Sequence, residues 1–407
     1  MSNNIEKNMT FLTEKKSLQR FGVRERFRRR DCTHLCVGPM SINCVDATIE
    51  LAEEHDVPLV LIASRRQVEC LELGSGYVNN WDTFAFARYV RERGHNDNVI
   101  LARDHGGPWQ HPMESKRFME VEDAMESAKL SFLRDIEAGF QILHIDPVVN
   151  LDQQPPTLEW VLDKVFELYA YCMDIAHSLG REILIELGTE EQKQSPVSDP
   201  ESLAVLLDGV MDFCKKNKFM NPAFMVVQTG TKVVGRSNVG DFPSEEKDIQ
   251  SYIQRHRLSE IVDMFNQKEI MLKEHNTDYL SDTSLQFHPK IGIHAANVAP
   301  EFGVVETSAL MRIMDKCSLK KLRDEFIEVC VNSGKWDKWV APGKETSDLE
   351  KALICGHYVF SDDRIIEIKR SIQATYSRTG GDLEKELKLS VKSAILRYMK
   401  CFGLVRS

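Results

Sequence analysis

No apolar run in the 407 residues approaches the ~18–20 positions a membrane-spanning helix needs, so a membrane protein is not expected. A secretory leader is not expected either. Met9-Thr10-Phe11-Leu12-Thr13 is too short for a signal-peptide core and is followed by charge. The ten cysteines are scattered without a CxxC pair, which suits reduced thiols in a cytoplasmic protein better than a disulfide framework. Cys32 and Cys36 flank His34, but no second ligand pair stands nearby to complete a zinc site. There is no GxGxxG turn and no GK[ST] phosphate loop. An overall excess of basic residues is missing too: 52 Lys and Arg against 62 Asp and Glu give −10, which argues against a general nucleic-acid binder. The charge is uneven, since residues 1–30 carry nine Lys and Arg and three Glu. That segment reads as a basic N-terminal arm, by default a solvated extension.

What is present is alternation. Strand-length apolar runs fall at His34–Val37, Pro58–Ile62, Val99–Ala102, Ile142–Ile145, Glu182–Ile185, Phe224–Val227, Ile270–Lys273 and Lys290–Ile293. Between them, residues 44–55, 82–93, 119–138, 157–179, 200–216 and 247–267 space their apolar side chains three and four apart, as helices do. Eight such units predict an α/β fold, a (β/α)8 TIM barrel over residues 31–310. From about residue 310 only helical patterns remain, so 311–407 is expected to be a C-terminal helical extension and a reasonable interface for a homo-oligomer.

Almost every predicted strand ends in a polar cluster. In a parallel barrel these ends share one rim, where active sites gather. Asp104-His105 is the sharpest pair, an acid/base beside a metal ligand. The plainer alternative is a turn acceptor next to a surface histidine. With Glu186 and His275 on the same rim, two histidines and a carboxylate form a ligand set for Zn2+ or another divalent metal. His144 and Asp146 are two apart and share a strand face, although a histidine inside a barrel strand is often a hydrogen-bonded core group. Asp146 and Glu186 join Asp104 as catalytic candidates. Arg65 and Lys232 are the candidate anion contacts, and with Arg66 and Arg236 they suggest a locally basic mouth. Gln67, Gln228, Asp278, Asn297 and His294, at the ends of their strands, complete the substrate-binding candidates. Gly74-Ser75-Gly76-Tyr77 reads as a mobile loop with Tyr77 as a lid contact.

Several of these blocks resemble one family. Ile62-Ala63-Ser64 through Gln67-Val68, Gly74-Ser75-Gly76-Tyr77, and Leu101-Ala102-Arg103-Asp104-His105-Gly106-Gly107-Pro108 are similar to the tagatose-bisphosphate aldolase Z-type subunit family. So are His144-Ile145-Asp146, Gly188-Thr189-Glu190, Val226-Val227-Gln228 and Glu274-His275-Asn276-Thr277-Asp278-Tyr279, over roughly residues 32–300. The resemblance implies a barrel related to class II, zinc-dependent ketose-bisphosphate aldolases. It implies Asp104 as acid/base, His105 and His275 as metal ligands, and Glu186 as a carboxylate near the metal.

The chain also departs from those enzymes. Gln228 stands where catalytic class II aldolases have a metal histidine, and Asn276-Thr277-Asp278 is not their glycine-rich phosphate loop. Z-type subunits stabilise a separate catalytic partner, yet Arg65-Arg66 stand where that family usually has uncharged residues, and His294 with Gly292 where it tends to carry lysine. The leading expectation is a metal-dependent aldolase acting on a phosphorylated or otherwise anionic sugar. The alternatives are a non-catalytic subunit stabilising an aldolase partner, and a metal-dependent sugar epimerase using the same proton-abstracting site.

Overall fold

The computed structural model describes residues 22–27, 31–117, 119–147, 157–188, 199–341 and 343–406. Most of the basic arm, with Thr189 and Glu190, lies outside the described residues. Eight parallel strands close a barrel in which each strand pairs with its sequence neighbours and the last with the first. They are β1 (His34–Val37), β2 (Leu59–Ser64), β3 (Val99–Gly106), β4 (Ile142–Ile145), β5 (Leu184–Leu187), β6 (Phe224–Val226), β7 (Met271–Glu274) and β8 (Ala295–Val298). Their continuous apolar character follows from burial on both faces, against the barrel interior and the outer helices. No helix among the described residues is long and apolar enough to cross a membrane.

Two placements differ from the sequence reading. The stretch 290–293 was expected to be the eighth strand, but helix Asp282–Ile291 runs through it. Gly292, at φ 96°, ends that helix in the left-handed conformation, and the strand begins only at Ala295. The 247–267 segment is two helices, Glu246–Arg255 and Leu258–Gln267, broken at Arg257 with φ 51°. Part of the arm is also structural: Val23–Phe27 forms a short 3-10 turn packed with Cys36, Ile100, Phe224 and other inward residues. Phe27 meets the Phe224 ring edge-on at 5.1 Å.

Beyond helix Pro300–Lys316 the chain is helical, with Lys320–Asn332, Asp348–Cys355, Asp363–Tyr376 and Leu383–Cys401. The last of these lies along helices Ile42–Glu54 and Pro300–Lys316. Buried Leu387, Val391, Ile395 and Tyr398 recur at the three- and four-residue spacing of one helix face. Loops of this extension also reach the barrel mouth. The Trp339 carbonyl accepts the Gly235 N–H at 2.7 Å, and Ser361 Oγ donates to the Tyr77 carbonyl at 2.9 Å.

Candidate active site

The site grows out of an irregularity in β3. In a regular strand Asp104 and His105 would point to opposite faces. Pairing of β3 with β4 shifts register between Arg103 and Gly106, and His105 takes a left-handed φ of 45°. This bulge turns both Asp104 and His105 toward the mouth. The following glycines are sterically required: a Cβ on Gly106 would come within 2.5 Å of the Phe132 ring, and one on Gly107 within 2.2 Å of the Asp146 carbonyl. Arg103 faces the outer layer instead, forked onto Asp135 at 2.6 and 2.7 Å.

Around Asp104 three imidazoles converge. The His105 ring centroid lies 5.2 Å from that of His144 and 5.1 Å from that of His275. His105 Nδ1 donates to Asp146 Oδ2 at 2.6 Å, leaving Nε2 4.0 Å from Asp104 Oδ2. His275 Nε2 lies 3.2 Å from Glu186 Oε1 and 4.0 Å from Asp104 Oδ1. His144 Nδ1 accepts the His105 backbone N–H at 3.1 Å. Its Nε2 is buried with no partner among the described residues, against Gly188, where a Cβ would come within 2.2 Å. Asn297 donates to Asp104 at 3.2 Å, and its own Oδ1 has no partner among the described residues.

The charges are mutually supporting. Burial pushes Asp104 up, but the His105 charge and the neighbouring His144 and His275 rings outweigh it and hold the carboxyl well below its ordinary range. Burial disfavours a charged His105, yet Asp104 and Asp146 raise it to about 9. Glu186, also buried, is held down at about 2, chiefly by Lys273, whose ammonium donates to Glu186 Oε2 at 2.6 Å. Lys273 stays protonated, because Cys36, Glu186 and Asp104 overcome the effect of burial. The sequence reading missed Lys273, although a lysine two positions before His275, following the apolar Ile270-Met271-Leu272, was a visible signal.

Two overlapping groups have donor atoms all within 4.8 Å of one another: Asp104, His105 and His275, and His144, Glu186 and His275. A tetrahedral zinc ion with bonds of about 2.0–2.1 Å needs donors roughly 3.3 Å apart, close to these separations. His105 has its second nitrogen fixed by Asp146, the outer support that metal-bound histidines use. His275 belongs to both groups, with Asp104 and His105 in one and His144 and Glu186 in the other, so the residues fit a divalent ion held by His275 together with the members of either group.

A cavity of about 490 Å³ opens above the cluster, within the size range of small-molecule sites. Of the residues expected from sequence, Gln67, Tyr77, Asp104, His105, His275, Asp278 and Asn297 line it. His144, Asp146 and Glu186 support its floor. Asp278 accepts the N–H groups of Ala299 and Glu301 at 3.0 and 2.9 Å, and burial beside Glu301 raises it to about 7.

Other expected residues are placed elsewhere. Arg65 abuts the cavity, but all five of its N–H groups are engaged: by Glu69, by Glu114 twice, by the Gly107 carbonyl and by Ser127. It braces the wall and has no donor left for a ligand. Gln228 and Lys232 do not line the cavity, and Arg236 turns outward to Glu350 at 2.7 Å. His294 precedes β8 at the opposite end of the barrel, where its Nδ1 accepts the Leu272 N–H at 3.0 Å. The basic mouth is instead Arg66 with Lys338, beside Trp339 and Tyr358 of the extension. The segment 74–77 is pinned rather than a loose lid: Gly76 and Tyr77 donate to the carbonyls of Trp81 and Arg66, each at 3.0 Å.

No family model matches the chain, and no curated protein matches it in sequence. Solved structures do match its fold. One is a Sinorhizobium meliloti 1021 protein described as a probable tagatose 6 phosphate kinase. It is 18% identical, with TM-score 0.69 over 91% of this chain and 100% of that one. Another is a fructuronate-tagaturonate epimerase from Cohnella laeviribosi, 12% identical, with TM-score 0.56 over 91% and 81%. A fructose-bisphosphate aldolase from Campylobacter jejuni is 13% identical, with TM-score 0.50 over 94% and 92%. The chain has the barrel architecture these proteins share.

Proposed function

We propose that the chain is a metal-assisted aldolase that makes or breaks a carbon–carbon bond in an anionic sugar. The observation that carries this reading is the meeting at His275 of two donor groups, Asp104 with His105 and His144 with Glu186, with Asp104 ionised and Asp146 fixing His105 from behind. A divalent ion at these residues would supply Lewis-acid stabilisation of negative charge on the sugar's carbonyl oxygen. In cleavage, Asp104 accepts the hydroxyl proton on the far side of the breaking bond. That oxygen becomes the aldehyde, and the bonding electrons pass to the carbonyl half as an enediolate. In synthesis Asp104 returns the proton. Asn297 keeps the Asp104 carboxylate oriented, and the Lys273 ammonium holds Glu186 ionised.

Lys273 also favours a second reading. Its ammonium balances Glu186 without any ion, so the cluster would suit a non-catalytic subunit that stabilises an aldolase partner, as the Z-type resemblance implies. The fold shared with an epimerase keeps stereochemical inversion as a third outcome. Incubation with phosphorylated ketoses and an aldehyde acceptor separates them. Carbon–carbon exchange that is lost in Asp104→Asn supports the aldolase. Inversion without exchange supports the epimerase, and neither activity in a folded, ion-loaded protein supports the subunit.

A further inference from the structure

The floor of the cavity is rich in carboxylates, while its outer wall carries two cations of different origin. Arg66 follows β2, and Lys338 belongs to the loop after helix Lys320–Asn332 in the C-terminal extension. Neither pairs with a carboxylate among the described residues. Lys338 keeps part of its side chain open to solvent and sets its ammonium 4.6 Å from the Trp339 ring centroid and 5.3 Å from that of Tyr358. Crowding by protein and the charge of Arg66 push it down to about 7. Two like charges facing one cavity are unfavourable unless a ligand brings the counter-charge.

The placement is built rather than incidental. Lys335 Nζ donates to the Tyr358 carbonyl at 2.7 Å, and Tyr358 packs edge-on against Tyr77 at 4.9 Å. The Gly235 N–H holds the Trp339 carbonyl, so the extension is tied to the barrel loops after both β2 and β6. We propose that Arg66 and Lys338 seat the oxyanion group of the substrate, a phosphate or carboxylate, and that the C-terminal extension thereby sets which sugar the barrel accepts. The inference rests on the aldolase reading for what happens below the seat, but anion binding can be tested without turnover. An arginine fork and a lysine point charge are both suited to oxyanion oxygens.

Calorimetric titration of the full-length protein with inorganic phosphate, and separately with acetate, tests the seat. Saturable binding of at least one is expected, and the tighter one names the group. Arg66→Gln and Lys338→Gln should each weaken it by about tenfold or more. Lys232→Gln removes a cation that does not line the cavity and should leave binding unchanged, whereas Asp104→Asn should leave it unchanged or tighten it. The proposal is overturned if neither anion binds the folded protein, if Arg66→Gln and Lys338→Gln keep the original affinity, or if Lys232→Gln loses as much as they do. Anion binding without binding of a divalent ion would retain the seat and remove the metal reading. The reverse result would retain the metal reading and remove the seat.

Discussion

Asp104, Glu186 and His275 stand at the ends of paired barrel strands, whereas Lys338, Trp339 and Tyr358 reach the same cavity from the helical chain beyond residue 310. The first group is anchored by a closed ladder of backbone hydrogen bonds. The second is held by a few loop contacts and ring packing. Under the proposed function the difference corresponds to separate tasks, with chemistry where backbone geometry is least free to drift and ligand selection where sequence can vary without disturbing the barrel. A similar contrast exists between neighbours within one strand. Arg103 and Asp104 are adjacent, yet one is neutralised outside the barrel wall and the other is held ionised at the mouth.

The largest expected effect comes from the floor. Asp104→Asn should lower carbon–carbon exchange about 10²–10⁴-fold while thermal unfolding stays within a few degrees of the parent protein. Equal loss of activity and of folding would make Asp104 a structural group. Next is the wall. Arg65→Met strips buried Glu69 and Glu114 of their partner, so urea unfolding should report about 3–5 kcal/mol of lost stability. The folded fraction should still bind a divalent ion. An unchanged stability would mean that Arg65 is not the brace its five bonds indicate.

The extension offers a smaller, pH-dependent effect. His357 is buried with neither ring nitrogen partnered among the described residues, and burial, aided by Lys338 and Lys335, pushes it down to about 3. Its folded value lies below the unfolded one, so the unfolded chain binds the extra proton. The stability is therefore complete above about pH 6.5 and is lost as pH falls toward 3. Between pH 6.5 and 5 the loss should be about 2 kcal/mol, and His357→Leu should flatten that part of the profile. An unaltered acid slope would remove His357 as its source. The least effect is expected at the seam: Arg236→Ala breaks an exposed pair with Glu350 and should cost less than about 1 kcal/mol in the same unfolding assay.

The barrel was legible because eight apolar runs alternate with helical spacing, and the Asp104, His105, Glu186 and His275 cluster followed from parallel strands sharing one rim. The eighth strand was misplaced because Lys290-Ile291-Gly292-Ile293 has strand-like composition, while the small residues Ala295 and Ala296 give little signal. The true strand starts five residues later, and this moves His294 from the expected mouth to the opposite end. Arg65 and Arg66 could not be told apart locally: only the fold brings Glu114 and Ser127 to one of them and leaves the other at the cavity. Lys338 had no local signal, since its place at the cavity beside Arg66 depends on a loop more than two hundred residues away in sequence.

Titration of the metal-stripped, folded full-length protein with Zn2+, followed by metal analysis after desalting, tests the central claim most directly. The account predicts about one tightly held ion per chain, lost in His105→Ala and in His275→Ala while both variants keep the parent's circular dichroism. Retention of the fold with no stoichiometric ion in the parent protein, or equal retention of the ion by both variants, would contradict it.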